Sequence, residues 1–188
     1  MTNPNKKNPS IVNQWTQATE ILLEEPLASW LLDPGSLTAK LKAQCTLFEV
    51  EILNEEEGEI TDNERQRLGE HGQGDRFWIR EVLLRCDGTA HVFARTVFPM
   101  ACANENSHYL HMGTQPLGHY LFNDPRTRRE DFELGKIASQ GPLQEVLKQE
   151  QQISLPLWGR RSLFRVGELP ILVAEIFLPA ALAYKKDV

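Results

Sequence analysis

The segment FWIREVLLRCDGTAHVFARTVFP, Phe77 to Pro99, decides the fold. Two runs of β-forming residues flank Asp87-Gly88, a dipeptide suited to the two-residue turn of a β-hairpin, where both positions must tolerate left-handed backbone. Such a turn sets Cys86 opposite Thr89, Leu84 opposite His91, Val82 opposite Phe93, Arg80 opposite Arg95 and Trp78 opposite Val97. Side chains alternate along a strand, so one face then carries Trp78, Arg80, Val82, Leu84, Phe93, Arg95 and Val97. That face is apolar apart from two opposed arginines. Like charges set against each other weaken a sheet, and a buried unpaired charge is costly. Two readings stay open. The face is partly solvated, or carboxylates elsewhere in the chain neutralise both guanidiniums; alternatively the neutralising partner is an anionic ligand. Two planar guanidinium forks would suit a dicarboxylate. A three-residue loop would shift the register by one and separate the pair.

The chain has 188 residues, 41% hydrophobic and 24% charged, which is ordinary for a soluble globular protein of one domain. The expected division is a disordered tail over residues 1–10, a single domain over 11–184 and a short tail over 185–188. A formal net charge of −6 argues against a nucleic-acid partner bound by phosphate neutralisation. An anion site here is therefore a local basic pocket in an acidic protein. Cys45, Cys86 and Cys102 are odd in number, with no C-x-x-C spacing, and read as buried thiols of a reducing compartment. Lys6 and Lys7 are not followed by the apolar run of a signal peptide. No segment approaches the roughly 20 apolar residues of a membrane helix. A cytoplasmic, soluble monomer with no membrane insertion is expected.

In chain order, Ile11 to Glu25 has a loosely helical pattern, and Pro26 to Asp33 reads as a short helix stopped by Pro34-Gly35. Ser36 is a credible N-cap for a helix from Leu37 to Gln44. Cys45 to Leu53 reads as a strand, and Asn54 to Asp75 as a solvated excursion containing a capping box, Thr61-x-x-Glu64. Met100 to Gln115 reads as an irregular connection. His108 and His111 there are spaced for a metal on a helix, but no further ligand is nearby, and ordinary loop histidines are the simpler reading. Pro116 opens a helix to Phe122, with Leu117 N–H among its free donors. Arg126 to Ile137 reads as a strand carrying Glu130, Phe132 and Leu134 on one face, and 141–152 as a short polar helix.

A second hairpin, Trp158 to Pro179, turns at Gly167-Glu168 and puts Ile171, Val173, Glu175 and Phe177 on one face. Glu175 then faces Arg160. It is either half of a cross-strand ion pair, or a half-buried carboxylate able to donate a proton or hold a hydroxyl. Strands in hairpins, short helices and no βαβ alternation define an α+β domain with a mainly antiparallel sheet. There is no phosphate loop, nucleophile elbow or metal-ligand cluster, so an enzyme built on this chain is expected to need neither cofactor nor covalent nucleophile.

These residues resemble the chorismate lyase (chorismate pyruvate-lyase) family. The matching pieces are Trp30-Leu31-Leu32; Trp78-x-Arg80-Glu81-x-Leu83-Leu84 with Asp87-Gly88; Ala94-Arg95-Thr96-Val97; Pro116-Leu117-Gly118-x-Tyr120-Leu121-Phe122; Trp158-Gly159-Arg160-Arg161-Ser162; and Glu175-x-Phe177-Leu178-Pro179-Ala180. The resemblance covers Leu27 to Tyr184. It implies a six-stranded antiparallel sheet flanked by helices, with an internal ligand pocket beneath helical flaps. It further implies conversion of chorismate to 4-hydroxybenzoate and pyruvate, for quinone biosynthesis (ubiquinone or plastoquinone), with no metal or cofactor. By the same resemblance Arg80, with the main chain at Leu117, binds the ring carboxylate, Arg95 holds the enolpyruvyl carboxylate, and Glu175 meets the 4-hydroxyl. Leu37 stands where the family often has a ligand-contacting methionine, and His119 where a basic residue is frequent. The segment between Gly135 and Trp158 is longer than the resemblance leads one to expect, so a flap or an edge should differ. Product inhibition is expected, because 4-hydroxybenzoate keeps the groups that Arg80, Leu117 and Glu175 contact. The alternative is a non-catalytic small-molecule-sensing domain of the kind found in transcription regulators with a related fold. The residues ahead of Leu27 are too few for the DNA-binding domain expected with it. A plain structural protein would leave the arginines and Glu175 without a purpose.

Overall fold

The computed structural model describes residues 15–102, 104–110, 112–137, 142–150 and 157–185. In chain order these form β1 (Thr16–Gln17), α1 (Leu27–Leu31), α2 (Leu37–Lys42), β2 (Phe48–Gly58), α3 (Asp62–Leu68), β3 (Phe77–Cys86), β4 (Thr89–Pro99), α4 (Leu117–Asn123), β5 (Thr127–Arg129), β6 (Glu133–Ile137), α5 (Pro142–Gln149), β7 (Leu157–Val166) and β8 (Leu169–Phe177). All eight strands join one antiparallel sheet in the order β1-β6-β7-β8-β4-β3-β2, with β5 also on β7. The expected α+β class holds, and six strands of five or more residues make up the expected sheet; β1 and β5, two and three residues long, extend it. No helix among the described residues is long and apolar enough to cross a membrane.

Both hairpin turns fall where the sequence places them. Asp87 and Gly88 have φ of 49° and 79°, the left-handed pair that a two-residue turn requires. The register beyond the turn does not follow. A β-bulge between Leu84 and Arg85 leaves His91 as an extra residue, so that Leu84 pairs with Val92, Arg80 with Thr96 and Glu81 with Arg95. One inserted residue reverses the parity of every later side chain. Arg80 and Arg95 therefore lie on opposite faces of the sheet. The second hairpin has no bulge, and Arg160 pairs with Glu175 as expected.

Local chemistry explains the helices. Ser36 Oγ accepts from the Ala39 amide at the start of α2, and the Thr61–Glu64 capping box closes in full at the start of α3. Other boundaries move. β2 starts at Phe48 and runs five residues past the expected Leu53, because its Glu-rich end still pairs with β3. Pro116 occupies the N-cap position of α4 instead of its first turn. The expected strand Arg126–Ile137 splits into β5 and β6 at 130–132. From Thr16 on, the loosely helical stretch is β1 and a 3-10 turn, Ala18–Glu20; its residues 11–14, the 1–10 tail, His111 and residues 186–188 lie outside the described residues.

The sheet separates two apolar layers. On one face α1 and α2 bury Trp30, Leu31, Leu37 and Leu41 against Val50, Val82, Leu84 and Phe177, while α4 packs Leu117 and Leu121 near Phe164 and Val173. On the other, α3 packs Leu68 near Ile79, Val97 and Leu172, and α5 packs Leu143, Val146 and Leu147 against Leu83, Phe93 and Ile176. The helix expected to be polar is thus amphipathic. The long segment before Trp158 contributes it to the face away from α1, α2 and α4.

On that second face Arg95 Nε donates to Glu64 Oε1 at 2.7 Å and its Nη1 to Glu81 Oε1 at 2.8 Å. Burial opposes the Arg95 charge, but Glu64 and Glu81 more than offset it, and its pKa is raised. Burial likewise opposes the Glu64 charge, which Arg95 restores, so the carboxyl lies below its ordinary value. Removing one partner of such a cluster strands the others. Arg95→Ala is expected to lose about 3–5 kcal/mol of unfolding free energy in urea titration; a loss below about 1 kcal/mol, the level of an exposed pair, would contradict a structural role.

Candidate active site

Between the first sheet face and the helices α1, α2 and α4 lies a cavity with about 550 Å³ of empty space, its open mouth included. Its floor is Val82, Leu84, Ala94, Thr96 and Val173 from the central strands, and its roof is Leu37, Thr38, Leu117 and Leu121. The roof helices meet closely at Gly118, where a Cβ would come within 3.2 Å of Ser36 Oγ and 3.3 Å of Thr38 Oγ1. Four charged side chains line the cavity: Arg80, Arg129, Arg160 and Glu175.

Arg80 is only 2% exposed. Its Nη2 donates to the carbonyls of Gly113 (2.7 Å) and Gln115 (3.2 Å), and its Nε lies 3.1 Å from Glu55 Oε1 on the adjacent strand, off the line of a hydrogen bond. Burial lowers its pKa, which Glu55 partly offsets. The two carbonyls belong to the turn that leads into α4. Arg80 thereby tethers that turn and brings the start of α4 beside its own guanidinium. Leu117 is the first residue of the helix, and its N–H has no intrahelical acceptor and no side-chain cap.

Glu175 accepts from Arg160 Nε at 2.5 Å through Oε2. Arg160, fully buried, also donates from Nη1 to the carbonyls of Trp30 (3.1 Å) and Asp33 (2.9 Å), at the end of α1. The expected cross-strand pair is thus present, and it also lines the cavity. One carboxylate oxygen is committed to Arg160.

Arg129 escaped the sequence reading. Its guanidinium carbon lies over the rings of Phe132 and Phe164, 4.1 and 4.9 Å from their centroids, while Nε donates to Ser162 Oγ at 3.0 Å and Nη1 to the Pro34 carbonyl at 3.2 Å. Among the described residues no carboxylate lies within ion-pair distance of it. Burial pulls its pKa down to about 10, with Glu175 acting in the opposite direction. The available signal was the Arg126-x-Arg128-Arg129 cluster, but only the pairing of Arg129 with Phe164 through β5 and β7 assigns it a face.

Of the residues singled out from sequence, Arg80, Glu175, Leu117 and Leu37 converge on this cavity and Arg95 does not. Arg95 stands behind the sheet with Glu64 and Glu81. The exposed His119 does not line the cavity.

An antiparallel sheet with helices over a cavity lined by three arginines and one glutamate defines an α+β protein with an internal cationic pocket. Solved structures share the fold: the C-terminal domain of the histidine utilization repressor from Pseudomonas syringae pv. tomato aligns with a TM-score of 0.56 at 15% identity, covering 76% of this chain and 97% of that one. PhnF from Mycobacterium smegmatis aligns with a TM-score of 0.54 at 14% identity, covering 84% and 69%. The particular family is set by sequence. The chorismate lyase family model matches residues 11–188, and the chain belongs to that family. A probable chorismate pyruvate-lyase of Pseudoalteromonas translucida is 39% identical over 82% of this chain and 85% of its own length. Another, from Azoarcus sp., is 36% identical over 96% and 98%.

Proposed function

We propose that the protein is a chorismate pyruvate-lyase that converts chorismate to 4-hydroxybenzoate and pyruvate in the cytoplasm, supplying quinone biosynthesis. The observation that carries this reading is the charge imbalance of the cavity. Arg80 has Glu55 beside it and Arg160 has Glu175, but the half-buried Arg129 has, among the described residues, no carboxylate within ion-pair distance. A half-buried cation without a carboxylate beside it favours an anion, and chorismate is a dianion.

Arg80 and the Leu117 amide hold the ring carboxylate, Glu175 meets the 4-hydroxyl through the oxygen not taken by Arg160, and Arg129 holds the enolpyruvyl carboxylate. The last role passes from Arg95 to Arg129 because Arg95 lies on the far face, paired with its own carboxylates. Leu37 supplies an apolar wall. In the reaction the hydrogen on the hydroxyl-bearing ring carbon leaves as a proton and its electrons close the aromatic ring. The C–O bond to the enolpyruvyl group breaks, and the departing fragment takes up a proton to become pyruvate. Aromatisation drives the step, so the protein's task is to orient the dianion, exclude water and stabilise charge moving onto the leaving group. Arg129 is the natural stabiliser, and Glu175 the orienter or proton-transfer group.

The test is to incubate chelator-treated protein with chorismate and follow aromatic absorbance and coupled pyruvate together. Equal amounts of the two products are expected; binding without turnover would mark a sensor domain. A second expectation follows from the shared contacts. The product retains the ring carboxylate and hydroxyl, so 4-hydroxybenzoate should inhibit competitively at least about tenfold more strongly than benzoate, which lacks the hydroxyl hydrogen bond to a carboxylate, an interaction of about 1.5–3 kcal/mol. Equal inhibition constants would remove Glu175 from product binding. Opening of the α2–α4 roof should then limit turnover.

A further inference from the structure

The three thiols are not equivalent. Cys45, half-buried after α2, and Cys86, buried at the end of β3, have sulfurs 2.8 Å apart, 41 residues distant in sequence. Both sulfurs also face the Leu41 carbonyl, at 3.3 and 3.7 Å. The backbone on either side is held in place. The amides of Thr46 and Leu47 donate to Asp87 Oδ1 at 3.1 and 2.8 Å, the Asp87 amide donates to the Leu47 carbonyl at 2.8 Å, and Phe48 pairs with Cys86 in the sheet. The sulfurs are therefore brought together by fixed segments and not by two mobile side chains meeting at a surface. Cys102 has a different neighbour, His71, with its sulfur 3.7 Å from Nδ1.

We propose that Cys45 and Cys86 are a redox-active pair that closes to an intramolecular disulfide when the protein meets a peroxide. Cys45 is the attacking sulfur because it is the more exposed of the two; burial, reinforced by the neighbouring sulfur, pushes the Cys86 thiol up to about 12. The Cys45 thiolate attacks one peroxide oxygen, an S–O bond forms, the O–O bond breaks, and the hydroxide that leaves is protonated to water. Cys86 then attacks the sulfenic sulfur of Cys45: the S–S bond forms, the S–O bond breaks, and the departing hydroxide takes the Cys86 thiol proton to give a second water. Two thiols lose two electrons, and one peroxide gains them. The crosslink ties the end of α2 to the β3–β4 hairpin, at the opposite end of the helix from Leu37 and Thr38. The pairing does not depend on the proposed reaction.

The experiment treats the reduced full-length protein with hydrogen peroxide, blocks remaining thiols with N-ethylmaleimide and weighs the intact chain. Expected are a loss of the mass of two hydrogens, one alkylated thiol in place of three, and recovery of all three after dithiothreitol. Trypsin should release the peptide 43–65 joined to the peptide 86–95. Cys86→Ser should stop the reaction at a dimedone-reactive Cys45, and Cys102→Ser should leave the crosslink unchanged. Three thiols still alkylated after peroxide, separate oxygen adducts with no joined peptide, or a crosslink through Cys102 would each overturn the proposal.

Discussion

Glu175→Gln is expected to lower kcat for chorismate by about two to four orders of magnitude, the range of a lost acid–base group, with a much smaller change in KM. Glutamine has nearly the same shape and keeps an oxygen for Arg160, whose Nε now donates to Glu175 Oε2 and whose other arm caps the end of α1. The seam between α1 and the sheet therefore survives, and what disappears is the negative charge and the proton-accepting oxygen. A fall confined to kcat identifies an interaction made chiefly in the transition state. Unchanged turnover in a folded Glu175→Gln protein would take the residue out of the mechanism.

Arg80→Lys should weaken chorismate and 4-hydroxybenzoate alike, by about 10- to 150-fold, the equivalent of about 1.5–3 kcal/mol for a lost charge-assisted hydrogen bond. Lysine keeps a cation beside Glu55, which limits the damage to the fold, but has no planar fork. It cannot hold the carbonyls of Gly113 and Gln115 and present a second arm to a carboxylate at once. The effect on both ligands follows because both carry the ring carboxylate. Weakening of chorismate alone would reassign Arg80 to the enolpyruvyl end.

The path from sequence to site succeeded where local rules act and failed where distant pairing decides. The Asp87-Gly88 turn, the Ser36 cap and the Thr61–Glu64 box are set by residues within a few positions of one another. The Arg160–Glu175 pairing was legible because its hairpin runs without a bulge from the Gly167 turn. Arg95 was misplaced because the bulge at Leu84/Arg85 inserts His91, and nothing in the alternation of apolar residues marks it: β4 is buried on both faces from Ala90 to Pro99. The one-residue shift that a three-residue turn would produce arises instead within the strands. Arg129 was hidden for a similar reason, since its face depends on three residues of β5 finding β7 across more than thirty positions. The resemblance to the chorismate lyases supplied the family and the roles proposed for Arg80, Leu117 and Glu175; only the geometry separated the arginine beside the cavity from the one behind the sheet.

The account rests on a buried pocket that recognises two carboxylates by two separate arginines, and Arg129 is the member whose role differs between substrate and product. The decisive measurement is the affinity of Arg129→Gln for each ligand, made by calorimetric titration in the Glu175→Gln background so that chorismate is not consumed. Chorismate should bind about 10- to 150-fold more weakly than to the Glu175→Gln parent, and 4-hydroxybenzoate, which has no enolpyruvyl carboxylate, should bind within about twofold of it, well under the cost of one such bond. Equal losses for both ligands, or no loss for chorismate, would contradict the assignment.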